Sequence, residues 1–294
     1  MQKFDLIISV AGWEERFSAG VCQDLNRVSA TSILLYVFED YMQLTQESRS
    51  KVGTVASSMN VEYREINVTR DAVELWKAIQ TSLDNSLEDK SVLLNISTMP
   101  REVMWWICFR LEHLRCGISY VYYKPISYAS DWLTRDTEQP RLLYQLSGVS
   151  SLGRPTCLLL LTGFDSDRAE QIIEYYEPEL IILGSQIGTQ FANDARNILQ
   201  NSVLLKKARK VETFQLDAIS EDRGFSAMER AILQARPEYN IIGASLGPKV
   251  SALALYQLQR KYPEIALTYA PSRQFNNNYS LGIGDLLEGT ILSK

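Results

Sequence analysis

Four short segments of this chain occur twice, in the same order, at offsets of 146 to 152 residues. Val10-Ala11-Gly12-Trp13-Glu14-Glu15-Arg16 matches Leu161-Thr162-Gly163-Phe164-Asp165-Ser166-Asp167-Arg168 with one extra residue. Val61-Glu62 matches Val211-Glu212, and Tyr123-Lys124-Pro125 matches Tyr269-Ala270-Pro271. Ser97-Thr98-Met99-Pro100-Arg101 matches Ser245-Leu246-Gly247-Pro248-Lys249. Generic α/β periodicity can produce one such match, whereas an ordered series marks a duplication. At 294 residues the chain is long enough for two domains. The predicted units are 1–148 and 152–294, joined through the Gly/Ser-rich stretch Gly148–Pro155.

Within each half, short apolar runs alternate with amphipathic segments. Strands are predicted at Leu6–Ala11, Ser32–Phe38, Val61–Val68, Ser91–Ile96 and Ile118–Tyr123. The second half repeats them at Cys157–Thr162, Leu180–Leu183, Val211–Ala218, Tyr239–Ala244 and Ile265–Tyr269. Val61–Val68 alternates most and belongs nearer a sheet edge. This β/α alternation predicts an α/β fold of two tandem Rossmann-like, doubly wound, mainly parallel sheets forming a pseudo-dimer.

In such sheets ligands bind beyond the carboxyl ends of the strands, where the strand order reverses. The repeated motifs follow the first and fourth strands, which typically flank that point. In Ser245-Leu246-Gly247-Pro248-Lys249, Gly247 lets the backbone approach a ligand and Pro248 suits the first helical position. Ser245 caps the helix or bonds the ligand, and the helix start with Lys249 suits an anion. The counterpart carries Ser97, Thr98 and Arg101 but lacks the glycine, so the two sites are expected to be unequal. Gly12, Trp13 and Arg16, and Gly163, Phe164 and Asp165, lie in the loops after the first strands. Their aromatics either stack on a nucleobase or anchor the following helix. Asn278 and Tyr279, in a loop rich in amides and glycines, are expected to border the same sheet end as Ser245–Lys249, either covering a ligand or forming a plain turn.

Composition narrows the functional classes. A net charge of −5 and a pI near 5.2 argue against duplex-DNA binding by the chain itself. The densest basic run, Lys206, Lys207, Arg209 and Lys210, reads as a solvated helix face. Cys22, Cys108, Cys116 and Cys157 show no metal-ligand spacing, and His113 is the only histidine. No metal, cofactor, Walker A or dinucleotide fingerprint is expected. Without a signal-like or membrane-length apolar stretch, a cytoplasmic protein is expected.

The run Ile241-Ile242-Gly243-Ala244-Ser245-Leu246-Gly247-Pro248-Lys249-Val250 resembles the fourth-strand motif of CRISPR-associated Rossmann fold (CARF) sensor domains. Asn95-Ile96-Ser97-Thr98-Met99-Pro100-Arg101 is a weaker likeness. The family's turn is Gly-Thr-Lys-like, and both copies here depart from its Gly-Thr step. The resemblance implies paired units that bind a cyclic oligoadenylate near the loops after strands one and four, in antiviral defence. Three readings follow. The chain is a sensor binding a nucleotide-like anion between its units, with a separate effector or complex subunit as partner. Alternatively it is a metal-independent phosphodiesterase acting on its own cyclic ligand, or a non-catalytic scaffold. The residues do not decide between catalysis and binding.

Overall fold

The computed structural model describes residues 1–129, 131–187, 204 and 209–293. Lys206 and Lys207 lie outside them. Arg209 and Lys210 are exposed, with Lys210 3.1 Å from Glu179.

The strands of the first repeat are β1 (Lys3–Val10), β2 (Ser29–Phe38), β3 (Glu62–Val68), β4 (Ser91–Asn95) and β5 (Gly117–Tyr123). Three short ones follow: β6 (Ser127–Tyr128), β7 (Thr134–Thr137) and β8 (Arg141–Leu142). The second repeat supplies β9 (Thr156–Leu161), β10 (Leu180–Gln186), β11 (Lys210–Leu216), β12 (Asn240–Ser245) and β13 (Ala266–Tyr269). It ends in β14 (Ser272–Phe275), β15 (Ser280–Leu281) and β16 (Leu286–Leu292). All ten predicted strands are present, within a few residues at either end.

The first sheet has the order β16-β5-β4-β1-β2-β3, and the second has β11-β10-β9-β12-β13-β8. Read from the outer strand inward, both run third, second, first, fourth, fifth. Every pairing among those five strands is parallel. The order reverses between β1 and β4, and between β9 and β12, as a doubly wound fold requires. Central strands are apolar along their length because both faces are covered; Thr156–Leu161 has only its first residue short of full burial. The outer strands β3 and β11 alternate in burial, as the charged pattern of Val61–Val68 predicts.

The helix Glu15–Arg27 buries Phe17, Val21 and Leu25 on one face, against a cluster that includes Ile7, Ile33 and Leu35. Full burial of each such side chain stabilises the fold by roughly 1.5–3 kcal/mol. In the second unit, Ala169, Ile172 and Ile173 of the helix Ser166–Tyr176 join Leu158, Leu160, Ile181 and Leu183 in the same way. Trp105 and Trp106 are both core residues.

The compact units are not the two linear halves. One comprises Met1–Ser130 with Asn277–Lys294, and the other Asp131–Asn276. The sixth strand of each sheet comes from the other repeat. Leu286–Leu292 runs antiparallel to β5, from Tyr123↔Leu286 to Ile118↔Leu292. Arg141 and Leu142 pair antiparallel with Tyr269 and Thr268 of β13. Short ribbons accompany each exchange, β6 with β15 in the first unit and β7 with β14 in the second. The exchange covers the edges of β5 and β13, which would otherwise expose unpaired backbone groups.

Candidate functional site

In the second unit, the loops after β9 and β12 meet backbone to backbone. Leu246 N donates to Leu161 O at 2.9 Å, while Thr162 N donates to Gly184 O of β10 at 2.9 Å. A β-carbon on Gly163 would stand 1.9 Å from Leu246 O, and one on Gly247 would stand 2.6 Å from Thr162 O. Both positions therefore depend on glycine for lack of space. The sequence reading assigned Gly247 to close approach of a ligand; in the structure it makes room for the facing loop.

The helix Lys249–Lys261 begins at this contact. Pro248, with φ −57° and ψ 148°, is the residue before the helix and not its first member, and Lys249 takes that place. Among the described residues no side chain caps this end, which carries the positive pole of the helix dipole. Ser245 does not act as the cap. Its buried hydroxyl has no hydrogen-bond partner among the described residues. Gln186, at the end of β10, is 5% exposed, and neither its amide oxygen nor its nitrogen has a partner there. Its Nε2 would lie 2.7 Å from a β-carbon on Gly247, so the amide rests against the turn.

In the equivalent turn of the first unit, Ser97 and Thr98 are satisfied internally. Ser97 N donates to Asn95 Oδ1 at 3.1 Å, and the Ser97 hydroxyl accepts from Tyr123 N at 3.0 Å. Thr98 Oγ1 donates to Val10 O at 2.8 Å, and its side chain fills the space over Gly12. Met99, in the place of Gly247, is fully buried, and Phe38 occupies the register position of Gln186. Arg101 is half-buried and opens its helix after Pro100, as Lys249 does after Pro248.

Asn95 is held in turn by Asp24, whose Oδ2 accepts from Asn95 Nδ2 at 2.6 Å and whose Oδ1 accepts from Tyr123 Oη at 2.7 Å. Burial pushes the Asp24 carboxyl up to about 6, against the lowering effect of those hydrogen bonds and of Arg27.

Most first-strand loop residues proposed as ligand contacts are committed to the protein. Arg16 is 2% exposed and donates to Ser280 Oγ at 3.1 Å, to Tyr123 O at 3.2 Å and to Glu14 at 2.5 Å. Burial opposes its charge, but Glu14 and the neighbouring Tyr122 and Tyr128 hold the guanidinium firmly protonated. Arg168 repeats the arrangement, bonding Ala270 O and lying 3.6 Å from Asp165. Asp165 caps the helix after it by accepting from Arg168 N, and accepts from Thr134 Oγ1 at 2.6 Å. Phe164 is buried, which fits the anchoring role and leaves no face for stacking. Trp13 is half-buried, its ring 5.0 Å from that of Tyr41.

Asn278 and Tyr279 belong to the first unit, whereas the turn Ser245–Lys249 belongs to the second. Strand exchange carries them into the first unit, where Tyr279 stands edge-on to Tyr128 and Asn278 is exposed. Gln186 is the residue the sequence reading missed, because it ended that strand at Leu183. The available signal was a polar residue standing where the first repeat has Phe38. Among the described residues no cluster of three metal-ligating side chains occurs.

No protein-family model matches the chain, and no curated protein matches it in sequence. Solved structures do match. A type III CRISPR defence DNA nuclease activated by cyclic oligoadenylate superposes with a TM-score of 0.55 at 10% identity, over 86% of this chain. The chain spans 63% of that nuclease's length. Can2 from Sulfobacillus thermosulfidooxidans, in complex with cyclic tetra-adenylate, matches at 14% identity and a TM-score of 0.32, covering 40% of this chain and 32% of its own. The cytoplasmic domain of a prokaryotic cation chloride cotransporter matches at 12% identity and 0.32, over 92% of this chain and 96% of its own. At these identities the first likeness establishes fold, and the two lower scores carry no argument. The tandem Rossmann-like α/β fold read from the repeat is the fold this chain has.

Proposed function

We propose that this chain is a ligand-sensing module whose second unit binds a nucleotide-like anion at the turn Ser245–Lys249. One observation carries the reading. At the carboxyl edge of the sheet, beside a helix start and a lysine, two buried polar side chains lack hydrogen-bond partners among the described residues. Leaving a buried polar group unpaired costs about 1–3 kcal/mol, a cost that a bound ligand removes. The helix start attracts negative charge and Lys249 adds a full positive one.

The nuclease that shares the fold is activated by cyclic oligoadenylate, which makes a cyclic oligoadenylate the ligand we assign, in antiviral signalling. Output passes to a separate effector or complex subunit.

A thermal-shift panel of cyclic di-, tri-, tetra- and hexa-adenylate tests the reading. A ligand at a hundred times its Kd should stabilise the fold by about 2.7 kcal/mol, visible as a rise in Tm. Unchanged melting with every member, together with no calorimetric heat, contradicts it.

A further inference from the structure

Gln186 carries more information than an unpaired hydroxyl, because its amide has a donor and an acceptor and both lack partners among the described residues. An ionised phosphate offers acceptors only. It would satisfy Nε2 and leave Oε1 facing negative charge, so the anion at the helix start does not account for this side chain. Carboxylates fail for the same reason. What satisfies both ends is a planar group presenting a donor beside an acceptor. The edge of adenine does so, through its 6-amino group and an adjacent ring nitrogen, and glutamine pairs with it in a bidentate manner.

The register sharpens the contrast. Gly184 pairs with Leu161 in the second sheet as Tyr36 pairs with Val10 in the first, which places Gln186 and Phe38 at equivalent positions. Phe38 has no hydrogen-bonding group at all. Met99 is the first unit's counterpart of Gly247, against which the Gln186 amide rests.

We infer that Gln186 is a specificity-determining residue that reads the base edge of the nucleotide, while Lys249 and the helix start hold its phosphate. The inference rests on the proposed binding at Ser245–Lys249 and adds the residue that selects the base. Discrimination is confined to the second unit.

The probes are cyclic tetra-adenylate and its analogue built from purine riboside, which lacks the 6-amino donor. Calorimetry with the full chain should show the adenylate bound at least tenfold more tightly. Gln186→Met, close to glutamine in shape, should weaken adenylate binding about tenfold and abolish the preference. Gln186→Glu, which loses the donor to the ring nitrogen but keeps the acceptor for the 6-amino group, should weaken binding and retain the preference, and thermal melts of both variants control for folding. Phe38→Met should change neither affinity nor preference. Equal binding of the two probes by the wild type, or an undiminished preference in folded Gln186→Met, overturns the inference and leaves the binding site standing. Failure of the wild type to bind either probe overturns the binding site itself.

Discussion

In the second unit Gly163 and Leu246 lie so close that a β-carbon on the glycine would stand 1.9 Å from the leucine carbonyl oxygen. Both contacting groups are backbone, so no change of rotamer relieves the approach. The same pair of loops in the first unit is separated by the Thr98 side chain, 2.9 Å from a β-carbon on Gly12. The two repeats thus share topology but reach it with different contacts at the end of the sheet where a ligand would bind.

Gly163→Ala is therefore expected to force the Ser245–Lys249 turn away from β9. Overpacking of this kind costs about 1–3 kcal/mol. Thermal melts should show a lower Tm for Gly163→Ala than for Gly12→Ala, whose neighbour is a side chain. Ligand binding should fall with it.

Asp24 makes stability depend on pH. Its carboxyl has an ordinary value of 3.8 and titrates at about 6 in the folded chain, with burial as the largest cause. The folded state therefore binds the proton more tightly than the unfolded one. The stability this group contributes is whole below about pH 4 and is lost as pH rises through about 6, with an amplitude of roughly 3 kcal/mol. Urea melts from pH 4 to 7 should show this decline, and Asp24→Asn should flatten it. Identical slopes in the two proteins would contradict the assignment.

Strand exchange predicts that the linear halves are poor folding units. A fragment of residues 1–148 lacks β16 and leaves β5 as an open edge, while β7 and β8 lose the strands they pair with. It should aggregate or melt without cooperativity, followed by circular dichroism. A sharp, reversible melt would show that the exchanged strands contribute little.

Much of this architecture is legible in the sequence, because central parallel strands are local apolar runs and the duplication writes each of them twice. The exchange is not legible. Tyr123 pairs with Leu286 and Arg141 with Tyr269, well over a hundred residues apart, and the strands β6 to β8 are too short to carry a period. The same gap misassigned Asn278 and Tyr279, whose place follows from strand exchange and not from the strand they succeed. The turn Ser245–Lys249 was legible from the repeat. The burial of Arg16 and Phe164 was not, because charge and aromaticity are visible in a sequence and burial is not.

The most direct test of the proposed site is calorimetric titration of cyclic tetra-adenylate into the wild type, Lys249→Ala and Arg101→Ala. A charge-assisted contact contributes about 1.5–3 kcal/mol, so Lys249→Ala should weaken binding roughly ten- to a hundredfold with little change in Tm. Arg101→Ala, beside the satisfied Ser97 and Thr98 of the first unit, should weaken it less. Equal affinity for the wild type and Lys249→Ala would mean that the repeated motif only starts a helix.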